Sequence, residues 1–296
     1  MKTRLYGILI IFLFLSMFFA CRQGGKPGSA EGNDSISLAD IKPLVHRFDT
    51  MGEGLPIFYN MYLSVEMSSL FETAGAVFEP ELLNSPDKIT DYVTSSKKAL
   101  NLGVYAVDLS YSKVFEQFET AGKYFNSMQR MAEELGIPSS YFENTAERFD
   151  RNINNKDSLI KIANEVYMAT DIYLRENERY GASAQIILGG WLEAMHIAVD
   201  IANKTGDIDI IERIAEQRTS LANVIEMLDN YSDDIAIKEN LGKMKELQPA
   251  FDAFVVKVDP NFNPATPAGK KAIKEFLVKI NEIGAQVNQL RAGIIS

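Results

Sequence analysis

The sequence predicts an all-α protein, a multi-helix bundle or an array of helical hairpins with about nine helices. Three observations predict it. Apolar residues recur three and four positions apart along most of residues 38–296, the spacing that keeps one face of a helix apolar. Glycine, proline and short polar capping residues interrupt that rhythm where helices would start and stop. No long alternating run of Val, Ile and Thr occurs, and such a run is the mark of a half-buried strand. Helices joined by short loops must bury their apolar stripes against one another. No repeat of 30–45 residues holds across the segments.

Residues 1–20 stand apart from that body. Lys2 and Arg4 precede an apolar run over 5–20, interrupted by Ser16, and Ala20 places a small residue before Cys21. These are the parts of a secretory signal peptide, and the run is shorter than the roughly 20 residues a membrane-spanning helix needs. Phe18-Phe19-Ala20-Cys21 resembles the lipobox of bacterial lipoproteins, although Phe18 stands where an aliphatic residue is usual. The resemblance implies cleavage after Ala20 and lipid on the sulfur and amine of Cys21. The alternative is an ordinary secretory signal with an incidental cysteine. Cys21 is the one cysteine of 296 residues, and an unpaired thiol in an oxidising compartment is a liability that acylation removes. Several acyl chains at about 0.8 kcal/mol per buried CH₂ would hold the chain on a membrane. In the lipoproteins it resembles, Asp after the cysteine often signals inner-membrane retention. Arg22 therefore points to the outer membrane, and the lack of an acidic cluster behind Cys21 points to its periplasmic face.

Without residues 1–20, which hold two basic side chains and no acid, the formal charge falls from −10 to −12. Such a charge repels phosphate backbones and argues against a nucleic-acid partner. It also argues against lying flat on anionic lipid. A content of 46% hydrophobic and 10% aromatic residues is enough to build a proper core, in one domain or two helical subdomains. With a lone cysteine, neither a disulfide nor a cysteine-built metal site can form within the chain.

Residues 21–37 read as the lipidated cysteine and a flexible linker, Gly-, Ser- and Asn-rich, with a root-mean-square span of roughly 20–24 Å. The all-α domain then occupies 38–296. A first helix runs over about 38–50 behind Ser37, and Gly52, Gly54 and Pro56 break it. A second runs from Pro56 to about Phe78. Ser85-Pro86-Asp87 opens a long third segment, bent at Gly103 and ending near Leu135, before Gly136 and Pro138. Ser140 and Glu143 suggest a capping box for a short helix to about Asn152. Asn154, Asn155 and Asp157 turn the chain into a helix over about 158–180, with the stripe Leu159, Ala163, Val166, Thr170 and Tyr173. The most apolar helix spans about 182–204 and closes at Gly206. Asp207 caps a helix bearing Ile211, Ile214, Leu221, Ile225 and Leu228. Ser232 opens another, which Pro249 kinks or ends because proline lacks the amide hydrogen. Thr266-Pro267 starts the last, to about Ala292.

A few side chains stand out as chemistry. Glu193 and His196 have the Glu-x-x-His spacing of di-iron bundles, which points both side chains the same way. With Asp200 they share a polar arc roughly 80° wide on an otherwise apolar helix. The second Glu-x-x-His is missing, since His46 has Pro43 three places before it, so a solvated or groove-facing stripe is the plainer reading. Gly189-Gly190 lies inside that helix at about 1 kcal/mol per glycine, which suggests close approach of another backbone or of a ligand. Trp191 falls among core positions. Asp108 sits in the stripe Val104, Asp108, Tyr111, Phe115, where a carboxylate is costly unless hydrogen-bonded or paired. Tyr105, Ser110 and Tyr111 are nearby donors, and Arg175 or Arg179 a candidate cation. Structural pairing and ligand binding both remain open for it. There is no nucleophile motif, phosphate loop or cofactor signature.

Residues 102–111 (LGVYAVDLSY) and 189–193 (GGWLE) are similar to segments of an all-helical lipoprotein family of Bacteroidetes-type bacteria. The resemblance implies an envelope lipoprotein without an assigned activity, so no functional residue carries over. The expected function is a lipid-anchored periplasmic module that binds a protein, peptide or small ligand, with Asp108, Tyr105, Tyr111, Trp191, Glu193 and His196 as its candidate contacts. A metal-dependent enzyme built on Glu193 and His196, or a purely structural envelope component, are the alternatives.

Overall fold

In the computed structural model, residues 70–296 are described, except 143, 153–154 and 259–260. The signal segment, Cys21, the linker, His46, the first expected helix and most of the second lie outside the described residues.

The described residues contain eight complete α-helices, the last turn of another at 70–73, and no strand. The eight are α1 (Ser95–Val114), α2 (Phe118–Glu134), α3 (Thr145–Arg151), α4 (Lys156–Glu176), α5 (Tyr180–Thr205), α6 (Ile208–Asp229), α7 (Ile235–Asp252) and α8 (Pro267–Ile295). Helix starts follow local chemistry. Thr94, Asn155, Asp207, Asp234 and Thr266 each accept a backbone N–H of the first turn, satisfying donors a helix otherwise leaves open. Gly206 closes α5 at φ +63°, a conformation glycine adopts without steric cost.

Two helices form the centre. Every residue of α1 from Ala99 to Leu109 and of α5 from Ser183 to Met195 is buried, as expected of helices covered on all sides. They pack most extensively against each other; α2 lies on α1, α6 and α8 lie on α5, and α7 bridges α6 and α8. On the remaining side α4 lies on α5, and the short α3 joins it to α2. One apolar cluster runs continuously from Phe71 to Ile294. α5 is the one described helix long and apolar enough to cross a membrane by length and composition, yet 89% of that stretch is buried within the protein. It is a core helix.

The α1–α5 contact is backbone against backbone. A Cβ added at Gly103 would lie 2.0 Å from the carbonyl oxygen of Ile186, and one at Gly189 would lie 1.9 Å from that of Leu100. The glycine pair inside α5 therefore reflects the approach of another backbone. Gly284 of α8 meets a side chain instead: an added Cβ would lie 2.5 Å from Cγ1 of Val199 on α5.

Several boundaries differ from expectation. The long third segment runs through Gly103 as one unbroken helix, α1. It begins with 3₁₀ turns at Pro80–Leu82 and Pro86–Asp91, and it breaks at residues 115–117, where Glu116 takes φ +57°. The second helix stops by Thr73, not Phe78, with Gly75 at φ +71°. Ser140 lies in a 3₁₀ turn, and the short helix starts after Asn144 instead. Asp234 rather than Ser232 caps α7, and Pro249 sits inside its last turn, three residues before the end.

Candidate functional site

Between the helices, residues 76–94 form a strap across α1, α2, α5 and α8, and beneath it lies a sealed polar cluster. Asp108 of α1 and Glu193 of α5 are both fully buried, at 0% exposure. Each sits where its helix is apolar, and burial of an ion there is tolerated only with a partner. Arg291 of α8 supplies it. Its Nε donates to Glu193 Oε2 at 2.6 Å, and one Nη to Oε1 at 2.6 Å and to the Leu82 carbonyl at 2.9 Å. That fork-on-fork geometry gives the short, strong form of the pair. Neither Arg175 nor Arg179 is the cation: Arg175 bonds Asp171, and Arg179 donates to the Leu135 carbonyl. They lie on α4 and just ahead of α5, away from Asp108.

Asp108 is held differently. Its Oδ2 accepts the backbone N–H of Asn84 at 3.2 Å, while Oδ1 meets no donor. Its carboxyl adjoins that of Glu193. Burial, the charge of Glu193 and the contact with it push the Asp108 carboxyl well above the usual carboxylate range, against the lowering pull of Arg291 and of the Asn84 amide.

The strap is fastened at many points. Asn84 donates to the hydroxyl of Tyr92 at 2.8 Å and to Oδ1 of Asn101 at 3.1 Å. Tyr124 of α2 donates to the Asn84 carbonyl at 2.9 Å, and Tyr105 to the Ser85 carbonyl at 2.7 Å. Burial raises both phenols above their ordinary value, with nearby Asp108 adding to the effect. Asn101 and Lys97 also satisfy carbonyls in the last turn of α8, with Asn101 Nδ2 at 3.0 Å from the Ile294 oxygen. Helix ends leave such acceptors open, and cationic groups suit them.

The candidate residues thus part company. Asp108 and Glu193 come together; Tyr105 adjoins them but gives its proton to Ser85, and Ser110 bonds the Ala106 carbonyl one turn back. Tyr111 serves the strap instead: its hydroxyl donates to the Val77 carbonyl at 3.2 Å and accepts the Glu79 N–H at 3.1 Å. Its ring stacks on Phe78 at 5.5 Å, and burial pushes its hydroxyl up to about 12. Trp191 lies on the opposite side of α5, packed against Phe251 of α7 at 5.8 Å, with Nε1 unpartnered. His196 is at the rim, its Nε2 3.1 Å from the Leu82 carbonyl and its Nδ1 2.6 Å from Asn288 Oδ1. The polar arc of α5 is accordingly neither solvated nor groove-facing at Glu193, because α8 covers it. Further along, Asp200 bonds Lys204 at 2.7 Å, and Lys204 reaches Glu79 of the strap.

Among the described residues no three His, Cys, Asp or Glu side chains are grouped to hold a metal ion. Glu193 is occupied by Arg291 and His196 by two oxygens. Accessible space lies elsewhere, in an open depression of about 270 Å³ between α6 and residues 254–256, lined by Glu212, Glu216, Arg218, Thr219, Phe254 and Val255 among others.

Arg291, Asn84 and Asn101 were not singled out from sequence. Arg291 had a signal: it follows Val287 and precedes Ile294, both buried, so it is a cation inside an apolar stripe, the mirror of Asp108. Asn84 had none, since its place depends on how the strap crosses the helices.

No family model, curated protein or solved structure matches this chain.

Proposed function

We propose that this chain is a lipid-anchored protein of the cell envelope, held by acyl chains on Cys21 at the periplasmic face of the outer membrane, whose helical body is a binding or interaction module. The observation that carries the reading is the lone cysteine directly behind Ala20, at the end of a positively charged start and a short apolar run. A linker over 22–37 would set the body roughly 20–24 Å from the anchor, and the acidic charge keeps that body off anionic head groups.

Asp108 and Glu193 have no surface of their own. In this reading they fix the helices that present the binding face, and a protein, peptide or small ligand is met on exposed ground. The depression beside α6 suits that role: Phe254 and Val255 give it an apolar side, and Glu212, Glu216 and Arg218 ring it with charge. A concave surface that offers both apolar contact and charged groups can hold a ligand and orient it. The metal-dependent alternative is favoured by no observation, as Glu193 and His196 are both engaged by protein groups.

Labelled palmitate fed to cells, with mass spectrometry of the mature N-terminus, tests the anchor. Cys21→Ser is expected to lose the label and leave the membrane fraction; a bare thiol on the wild-type chain overturns the anchor. For the module, a photo-crosslinker at Thr219 is expected to capture a discrete partner whose yield drops with Val255→Asp. Recovery of only abundant outer-membrane or cell-wall proteins, unaffected by that change, favours a purely structural role.

A further inference from the structure

Two buried carboxyls share one guanidinium beneath the strap, and their hydrogen bonds are not alike. Glu193 spends both oxygens on Arg291, as a carboxylate does. Asp108 takes one backbone N–H on Oδ2, while its Oδ1 finds no donor and its carboxyl faces Glu193. Were both ionised, a sealed site would hold a net negative charge and two facing lone-pair oxygens, each an expensive arrangement in a low-dielectric interior. A single proton between them removes both costs. It balances the charge against Arg291, and it turns the orphaned Oδ1 into a donor.

We infer that Asp108 is a resident proton site: its carboxyl is protonated at neutral pH, donates to Glu193, and makes the stability of the folded chain depend on that proton. Loss of that proton leaves two anions facing one cation. The Asn84 amide holds the ionised carboxyl more tightly than the neutral one, but a single neutral donor does not offset the repulsion from Glu193, so the folded state is weakened. The groups around Asp108 are Glu193 of α5, Arg291 of α8, Tyr105 on its own helix, Tyr124 of α2 and Tyr92 in the strap, with Asp87 near Tyr124 and His196 at the rim against Leu82. Of these, only Arg291 opposes the gathering of negative charge as pH rises.

The sign follows from linkage. A carboxyl raised above its unfolded value contributes stability that is complete below about pH 4 and is lost as pH climbs through its folded value. Asp108→Asn keeps the shape and a donor but cannot ionise. Its melting temperature relative to wild type is expected to rise steadily as pH is raised above about 4, whereas Glu193→Gln, which strips Arg291 of its partner, melts lower throughout. An offset between wild type and Asp108→Asn that does not change with pH overturns the proposal. A second measurement needs no variant. Infrared spectra of the folded wild-type chain at about pH 7 are expected to contain a protonated-carboxyl band that shifts when aspartate alone carries ¹³C. Absence of the band, or a shift with labelled glutamate only, overturns the assignment to Asp108.

Discussion

Where α1 crosses α5 at Gly103 and Gly189, nothing but backbone lies between the two helices. A few residues further along each, at Asp108 and Glu193, two carboxyls and the guanidinium of Arg291 fill the space between three helices and a strap. The first region fails by addition of a single carbon, because an added Cβ would stand 2.0 Å from a carbonyl oxygen. The second fails by subtraction of a single charge, because what remains is a buried ion without a partner. A shared helix pair is thus fixed by shape at one level and by charge at the next.

The charged level is expected to break hardest. Arg291→Met leaves Glu193 buried and uncompensated, which costs about 3–5 kcal/mol, read as a drop in the urea midpoint at constant slope. Adding Glu193→Leu to it is expected to recover stability, since an apolar replacement of a whole buried pair is often neutral. A loss below about 1 kcal/mol for the single change would mean that water reaches Glu193, and the contrast between the two levels would vanish.

At the level of shape, Gly103→Ala forces α1 and α5 apart and is expected to cost about 1–3 kcal/mol or more. Gly242 supplies the control. It lies inside α7 with nothing within 4 Å of an added Cβ, so Gly242→Ala is expected to stabilise by about 1 kcal/mol through helix propensity alone. Opposite signs in thermal melts for one chemical change would locate the difference in the backbone contact. Equal signs would refute it.

The all-helical architecture was legible because periodicity, caps and breakers are local. Asp207 before Ile208, Thr266 before Pro267 and Gly206 after Thr205 act through their own neighbours. Boundaries that depend on distant contacts were not legible. Glu116 adopts a left-handed backbone that its residue type does not announce, and the strap over 76–94 is shaped by bonds to α1, α2, α5 and α8. The same holds at the site. Asp108 was visible as a carboxylate in an apolar stripe and Glu193 as part of a polar arc, but their meeting depends on the glycine crossing. Arg291 is 98 residues beyond Glu193 in sequence, and nothing local ties them. A cation and an anion, each marooned on an apolar helical face, were the available hint that the two helices pair there.

Tyr111 offers the smallest and most selective cut. It lies one turn beyond Asp108 on α1, yet its hydroxyl touches neither carboxyl; it ties Val77 and Glu79 at the start of the strap. Tyr111→Phe keeps the stacking on Phe78 and the tilted ring contact with Phe115 and removes only those two bonds. The expected cost is about 1 kcal/mol. Because the strap covers the charged cluster and not the glycine crossing, its loosening should couple to one region alone. In a double-mutant cycle, Tyr111→Phe is expected to be non-additive with Arg291→Met, where water admitted under a loosened strap already eases the burial of Glu193. With Gly103→Ala it is expected to be additive, as distant sites without shared partners are. Additivity in both cycles would show that the strap is not the wall that seals the charges.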